Sequence, residues 1–322
     1  MRFQILSNKP YQSACIEPVR KELVSRGHTA VHAEKVPLPK EEIDATLIAS
    51  VGYLHPGIVN KLKRPIFFLP HGVAVVKTTL YKQHKMADHM LMTGPIWKER
   101  MEFLFPKYSN NIEAGFPKSD ELVNGKNTRE EVIRELGLDP KEPIVVFAPS
   151  WDDKDAKRKG TIDALPAVES LGFKNLILCL HEYDKMFGSL EGKKIIKHPN
   201  KNRYLLAADL LIGDISSIMI EFTLLNKPMV HIDMTGNRQH YGIWEEPTYH
   251  YGTFQAGEFA TPKGLPAAVK EALDDPGKYE HLRKYWKWRS FYNPGSAARS
   301  AADAIEHLTS DYKPVRKRFI FF

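Results

Sequence analysis

The stretch from Ala207 to Asp233 limits the fold of this chain more than any other. It reads AADLLIGDISSIMIEFTLLNKPMVHID: an apolar run ending in Gly-Asp, two serines, apolar residues at helical spacing, the breaker Asn-Lys-Pro, and a second apolar run. This order predicts the strand, helix and strand of a βαβ unit. Ser216 or Ser217 is expected to cap the helix, where free N–H groups and the dipole favour an anion. The plainer alternative is that Asp214 and the serines only close a turn and cap a helix.

The rest of the chain repeats this alternation of strands and helices in two halves. Apolar runs predict strands at 3–6, 29–32, 45–50, 66–69, 90–92, 111–115, 143–148 and 175–180. Repeated alternation predicts α/β domains with parallel sheets covered by helices. A charged segment at 120–143 separates the halves, and domains commonly hold about 150 residues. We therefore expect domains at 1–130 and 131–322, with the C-terminal helices and tail in the second.

Composition excludes several classes of protein. Hydrophobic residues make up 43% and charged residues 26% of the 322, as in an ordinary globular chain. No apolar run approaches the ~20 residues of a membrane span, and Met1 leads directly into a short strand, so no signal peptide is expected. Cys15 and Cys179 form neither a disulfide framework nor a metal signature, which favours a reducing cytosol.

The net charge of +7 favours anionic partners. The C-terminal tail, residues 313–322, combines four cations with an aromatic end. That composition suits the anionic inner face of a membrane. The alternative is a frayed terminus, or one whose aromatic residues pack on the body of the protein.

Two histidines follow predicted strands. His71 comes directly after IFFLP, at the carboxyl end of a strand, which is the edge where open α/β sheets bind ligands. A histidine there can act as a general base near neutral pH, and Gly72 lets the backbone turn sharply or approach a ligand. His181 follows LILCL in the same way in the second half. The alternative for His71 is a loop histidine that is hydrogen-bonded to the backbone.

Six motifs together resemble those of the CDP-glycerol glycerophosphotransferase family, which comprises teichoic-acid primases and polymerases of Gram-positive walls and related capsule enzymes. In order they are FFLPHGVAVVK, EAGFPKSDEL, VVFAPSWDD, LILCLHEY, ADLLIGDISSIMIEFTLLNKP and SFYNPGSAARSAADAI. The resemblance covers about Pro65 to Leu308. The chain departs from the family pattern at Ser150, Asp152, Ile215 and Glu221.

The resemblance implies a GT-B fold, in which two Rossmann-like domains face each other across a cleft: an acceptor domain at 1–130 and a nucleotide-donor domain at 131–322. It implies that His71 deprotonates the acceptor hydroxyl and that His181 contacts the donor pyrophosphate as CMP leaves. The donor-binding residues carried over are Ser150, Asp214, Ser216, Ser217 and Glu221. The acceptor-binding residues are Gly72 and Lys77.

Two of these residues have plain alternatives. Glu221 lies one helical turn after Ser217 and could reach a ribose hydroxyl, or it could be a solvent-facing helical acid. Lys77 could contact an acceptor phosphate, or it could be a solvated lysine of the basic loop 77–85. The sequence shows no paired-carboxylate metal motif or Walker loop, so we expect no cofactor and no metal.

The resemblance further implies transfer of glycerol phosphate, or another polyol phosphate, from a CDP-polyol to a lipid-linked saccharide. The long N-terminal extension common in the polymerases does not precede these motifs, which favours a primase-like enzyme that adds one or few units. We expect a cytoplasmic protein on the inner face of the membrane, with no nucleic-acid partner.

Two other functions remain open. The first is a GT-B glycosyltransferase or epimerase that uses a UDP-sugar, because one fold supports several chemistries. The second is a non-catalytic protein that binds polyanions. Two histidines at strand ends argue against the second, since binding alone needs no base.

Overall fold

The computed structural model describes residues 1–33, 43–59, 62, 65–73, 84, 86–106, 110–126, 128–149, 161–180, 190, 192–196, 200–214, 216–234 and 254–312. They form two compact units. Unit 1 comprises Met1–Glu121 together with the chain from Trp288 onward, and unit 2 comprises Leu122–Lys287.

Strands and helices alternate through both units. The strands are β1 (Arg2–Leu6), β2 (Thr29–Ala33), β3 (Ala45–Ile48), β4 (Ile66–Phe68), β5 (His89–Leu91), β6 (Asn111–Ile112), β7 (Ile144–Ala148), β8 (Asn175–Leu178), β9 (Leu210–Gly213), β10 (Met229–Ile232) and β11 (Glu258–Ala260). The helices are α1 (Pro10–Ser25), α2 (Pro56–Val59), α3 (Pro95–Leu104), α4 (Asp120–Asn124), α5 (Arg129–Leu136), α6 (Leu165–Glu169), α7 (Asn202–Ala207), α8 (Ser217–Phe222), α9 (Leu265–Asp274), α10 (Glu280–Ser290) and α11 (Ala297–Ser310).

Each unit is built on one sheet, and every strand pair in the described residues is parallel. Unit 1 has the strand order β2-β1-β3-β4-β5-β6, and unit 2 has the order β11-β10-β9-β7-β8. The predicted parallel α/β architecture is therefore confirmed. Strands buried on both faces explain why the sequence shows continuous apolar runs rather than alternation.

Helix α11 packs in unit 1, which differs from the predicted domain limits. Ala301, Ala302 and Ile305 of this helix lie in the apolar core formed by β1, β3, β4 and α1. The Asp120 carboxylate accepts hydrogen bonds from the first backbone N–H groups of the helix, at 2.9 Å from Ala297 and 2.8 Å from Ala298. The sequence predicts the residues from Trp288 onward in the second domain because they follow it in the chain, but the apolar face of α11 is buried against the first sheet.

The core of unit 2 surrounds its central strands. Side chains of β7, β9 and β10 meet those of α6 and α9 there, and these strand residues are almost completely buried. Gly213 ends β9 at a position where a Cβ atom would lie 2.8 Å from the carbonyl oxygen of Ala148. Only glycine therefore fits at this strand end, which brings the turn after β9 close to the end of β7.

Some element limits differ from the predicted ones. Helix α1 begins at Pro10 rather than near Ser13, because proline is favoured in the first helical position. The predicted break at 291–295 is confirmed, and there Asn293 and Gly295 have positive φ angles of 47° and 86°. Within the described part of the chain, no helix has both the length and the apolar character needed to cross a membrane. Cys15 and Cys179 are both buried and are not joined in a disulfide.

The packing of α11 predicts which strands lose hydrogen-exchange protection when a buried side chain of this helix is shortened. Ile305→Ala should lower the free energy of unfolding by roughly 2–5 kcal/mol, because Ile305 is fully buried. Amide hydrogen exchange should show the lost protection in β1 and β3, with β7 and β9 unaffected. His307→Ala, which changes an exposed side chain of the same helix, is the control. Loss of protection in β7 and β9 instead would contradict the assignment of α11 to unit 1.

Candidate functional sites at the carboxyl ends of the strands

His71 lies at the carboxyl edge of the unit 1 sheet, as predicted. Strand β4 ends at Phe68, and the backbone N–H of Leu69 continues the ladder with a 2.9 Å bond to the carbonyl of Ile48. His71 and Gly72 follow and are both partly buried. His71 is therefore partly exposed at the edge where parallel α/β sheets bind ligands.

Side chains from two helices fix the backbone around His71. The Cys15 thiol of α1 donates to the carbonyl oxygen of His71 at 3.2 Å. The Trp97 indole N–H of α3 donates to the carbonyl oxygen of Val73 at 3.1 Å. The ring of Tyr11 lies edge-on to the His71 ring, with 5.2 Å between centroids and 60° between planes. Backbone and ring of His71 are thus both in contact with groups outside their own loop.

His84 is buried in unit 1, although it belongs to the segment predicted as a polar loop. Its ring stacks on Phe68 with a centroid distance of 4.5 Å, and it is 1% exposed. Burial, with a smaller contribution from the charge of His71, lowers the pKa of His84 to about 3. His84 is therefore neutral at physiological pH.

Asp214 lies at the corresponding edge of unit 2, directly after β9. It is 2% exposed. One carboxylate oxygen accepts from the Thr161 hydroxyl at 3.1 Å, and the other accepts from the backbone N–H of Ser216 at 3.1 Å. The bond from Ser216 closes the turn between β9 and α8, in agreement with the plainer interpretation of the sequence, and the bond from Thr161 joins this turn to the segment before α6. They also hold a negative charge at the carboxyl edge.

Ser216 occupies the predicted N-cap position of α8, but its side chain makes no capping bond. The Ser216 hydroxyl oxygen is buried and, among the residues that the structure describes, has no hydrogen-bond partner. Ser217 begins the helix and is partly buried. Since α8 has only six residues before a 3₁₀ turn at Thr223–Leu225, its dipole is weaker than that of a long helix. The described residues therefore leave the hydrogen-bonding capacity of this hydroxyl unused.

The structure excludes one of the two predicted environments of Glu221. It is 2% exposed, so the solvent-facing helical acid is wrong. A buried carboxylate needs partners, because removing a charge from water is costly. The other reading, a contact to a ribose hydroxyl, stays a prediction.

His231 was not recognised from the sequence, where it is one residue in the apolar run of β10. Its Nε2 accepts from the backbone N–H of Ala256 at 3.2 Å, which leaves the proton on Nδ1, 3.4 Å from the carbonyl oxygen of Asp214. Phe259 stacks on the ring with a centroid distance of 4.8 Å. Complete burial lowers the pKa of His231 to about 4. His231 is therefore a neutral link between the Asp214 turn and the segment before β11.

Three predicted site residues, Ser150, His181 and Lys77, lie outside the described residues, as does the basic tail at 313–322. The strands before Ser150 and His181 are described, and both belong to the unit 2 sheet. Strand β7 ends at Ala148 and is hydrogen-bonded between β9 and β8, and β8 ends at Leu178. The proposed roles of Ser150, His181 and Lys77 stay predictions.

Two basic side chains lie at the opposite edge of the unit 2 sheet, where the strands begin, and they stabilise the backbone there. The Arg129 guanidinium pairs with Asp209 at 2.6 Å, and the Lys227 ammonium donates to the carbonyls of Leu206 at 2.6 Å and Ala208 at 2.8 Å. Burial lowers the pKa of Lys227. These cations satisfy the carbonyl groups at the end of α7 and border a cavity of about 380 Å³.

Across the described ranges, no three His, Cys, Asp or Glu side chains gather as metal ligands would. Metal independence stays a prediction.

Comparison with known proteins relates this arrangement to a family. The family model described as CDP-Glycerol:Poly(glycerophosphate) glycerophosphotransferase matches residues 69–241, which is 173 of the 322 residues. The chain belongs to this family. The match begins two residues before His71 and includes every predicted site residue.

Curated relatives carry teichoic-acid names. The teichoic acid poly(glycerol phosphate) polymerase of Bacillus spizizenii is 25% identical over 169 residues, which is 48% of this chain and 43% of the relative. The teichoic acid glycerol-phosphate transferase of Staphylococcus aureus is 25% identical over 165 residues, which is 46% of this chain and 42% of the relative. The alignments thus span less than half the length of these relatives.

Solved structures confirm the GT-B fold. The wall teichoic acid polymerase TagF aligns with a TM-score of 0.72 and 16% identity, over 96% of this chain and 89% of that chain. The UDP complex of S. aureus MnaA aligns with a TM-score of 0.66 and 13% identity, over 96% and 97% of the two chains. At these identities the likeness establishes the fold alone.

The buried His231 predicts acid sensitivity of unit 2. Its folded pKa of about 4 lies below the ordinary histidine value of 6.5, so the unfolded chain binds more protons between these pH values. The stabilisation is complete above pH 6.5 and is lost as the pH falls toward 4, which amounts to about 2 kcal/mol between pH 7 and pH 5. Urea unfolding at the two pH values should show this decrease, and His231→Gln should reduce it. Equal pH dependence in both proteins would contradict the buried neutral histidine.

Proposed function

We propose that this protein transfers glycerol phosphate, or another polyol phosphate, from a CDP-polyol to an acceptor hydroxyl. The observation that carries the proposal is the family match, which contains His71 and the whole Asp214–Glu221 turn and helix. In support, His71 is partly buried at the carboxyl edge of the unit 1 sheet, and the Ser216 hydroxyl at the carboxyl edge of the unit 2 sheet has no partner among the described residues. The TagF structures include a variant soaked with CDPG, which supports the choice of donor.

In the proposed reaction His71 is the general base. It accepts the proton of the acceptor hydroxyl while that oxygen bonds to the phosphorus atom that carries the polyol. The bond from this phosphorus to the bridging oxygen of the diphosphate breaks, and its electron pair leaves with CMP. The neighbouring His84, with its pKa lowered to about 3, adds no positive charge beside a base that must take up a proton.

Positioning and charge neutralisation dominate phosphoryl transfer. We assign donor binding to Ser150, Asp214, Ser216, Ser217 and Glu221. Ser216 and Ser217 would donate hydrogen bonds to the diphosphate, and the buried Glu221 would accept from a ribose hydroxyl. His181 would donate to the pyrophosphate as CMP leaves.

We further propose a lipid-linked saccharide as acceptor, bound near Gly72 and Lys77, on the inner face of the cell membrane. The basic, aromatic composition of residues 313–322 supports contact with anionic lipid. Relatives named as polymerase and as transferase match with the same 25% identity. The number of units added must therefore be measured as the length of the product. We propose the primase-like outcome, in which one or few units are added.

The base assignment predicts a selective defect. His71→Gln should lower transfer from CDP-glycerol by about 10²–10⁴-fold, because it removes the proton acceptor and keeps the size of the side chain. Donor binding, measured by thermal shift, should be unchanged. His307→Gln, the same substitution at an exposed histidine of α11, should retain full activity. Normal turnover by His71→Gln would support a function that needs no base.

Donor selectivity tests the proposed donor-binding residues of unit 2. CDP-glycerol or CDP-ribitol should raise the melting temperature more than CDP, and UDP-GlcNAc should have no effect. Ser216→Ala should weaken donor binding by about tenfold or more, since a hydrogen bond to a charged group is lost. Ser170→Ala, at an exposed serine of unit 2, is the control. Stabilisation by UDP-GlcNAc alone would assign the protein to a UDP-sugar glycosyltransferase or epimerase instead.

A further inference from the structure

A general base works only when its ring is held within hydrogen-bond reach of the proton that it removes. The bonds from Cys15 and Trp97 fix the backbone on either side of the His71 side chain. A fixed backbone still leaves χ1 of a histidine with three staggered choices and χ2 with a broad range of angles. A contact to the imidazole ring itself is needed to select one of them.

Tyr11 makes such a contact. The 5.2 Å centroid distance and the 60° angle are those of an edge-to-face aromatic pair. Tyr11 lies in the first turn of α1, which begins at Pro10. That turn is well defined, since the Lys9 carbonyl accepts from the N–H groups of Gln12 at 3.1 Å and Ser13 at 3.0 Å. The ring of Tyr11 therefore starts from a rigid helix end.

We propose that Tyr11 is a positioning residue for His71, whose ring orients the imidazole toward the acceptor hydroxyl. This inference rests on the proposed function, in which His71 is the base. We assign the effect to the ring, because the ring makes the contact with the imidazole; the phenol oxygen accepts from the Gln12 side chain at 3.4 Å. Tyr11 lies outside the span matched by the family model, residues 69–241, so the motif resemblance does not assign it any role.

The test compares Tyr11→Leu, which removes the aromatic contact, with Tyr11→Phe, which keeps it. For Tyr11→Leu we expect kcat to fall about fivefold, the size of an aromatic pair interaction, while KM for CDP-glycerol stays within about twofold. Tyr11→Phe should restore kcat. Val24→Ala, at an exposed position near the other end of α1, controls for disturbance of the helix. Thermal melting of each variant reports folding.

Histidine-selective NMR gives a readout that does not need turnover. The His71 ring resonance, assigned by its loss in His71→Gln, should move in Tyr11→Leu and stay in place in Tyr11→Phe. An unmoved resonance together with an unchanged kcat in Tyr11→Leu would overturn the proposal, as would equal losses of kcat in Tyr11→Leu and Tyr11→Phe. If the resonance moves but His71→Gln has normal turnover, the proposed function fails while the contact stands.

Discussion

Parallel pairing is the constraint on which the rest of the structure depends. Two parallel strands cannot be joined by a tight turn, so the chain crosses a face of the sheet between them and every strand ends at the same edge. In unit 1 this rule brings the end of β4 and His71 to one edge, and in unit 2 it brings Asp214 to the edge shared by β7 and β10. The candidate chemistry lies at strand ends because only there does the backbone leave the ladder and free its polar groups.

Local patterns predicted what depends on neighbouring residues in the chain. The apolar runs before His71 and Asp214 became β4 and β9, and the turn before Ser216 has the predicted position. Patterns could not predict bonds between distant residues. The Thr161 hydroxyl reaches Asp214 over 53 residues, and α11 returns to the first sheet after the whole of unit 2. Nothing in the periodicity of a segment states which sheet will bury its apolar face.

Histidine shows the same division between local chemistry and three-dimensional environment. From sequence, His71 follows an apolar run, His84 lies in a basic loop between Gln83 and Lys85, and His231 lies within an apolar run. In the structure His84 and His231 are buried, and burial lowers their pKa values to about 3 and about 4, so neither can take up a proton near neutral pH. His71 is partly buried and remains at the edge of its sheet. Burial therefore distinguishes the structural histidines from the candidate base. In the sequence, the only indication of this difference is that His71 directly follows a predicted strand.

The family match begins at Leu69 and includes His71, yet part of the support of His71 comes from α1, outside the match. The residue that reacts and the residues that support it are constrained differently. A base must be a group that can exchange a proton, so its identity is restricted and a motif can record it. A support needs only a donor or a ring of suitable shape in the right place, and the thiol of Cys15 and the ring of Tyr11 are two of many side chains that could serve. Motifs therefore locate the reacting group, and coordinates are needed to find what holds it in place.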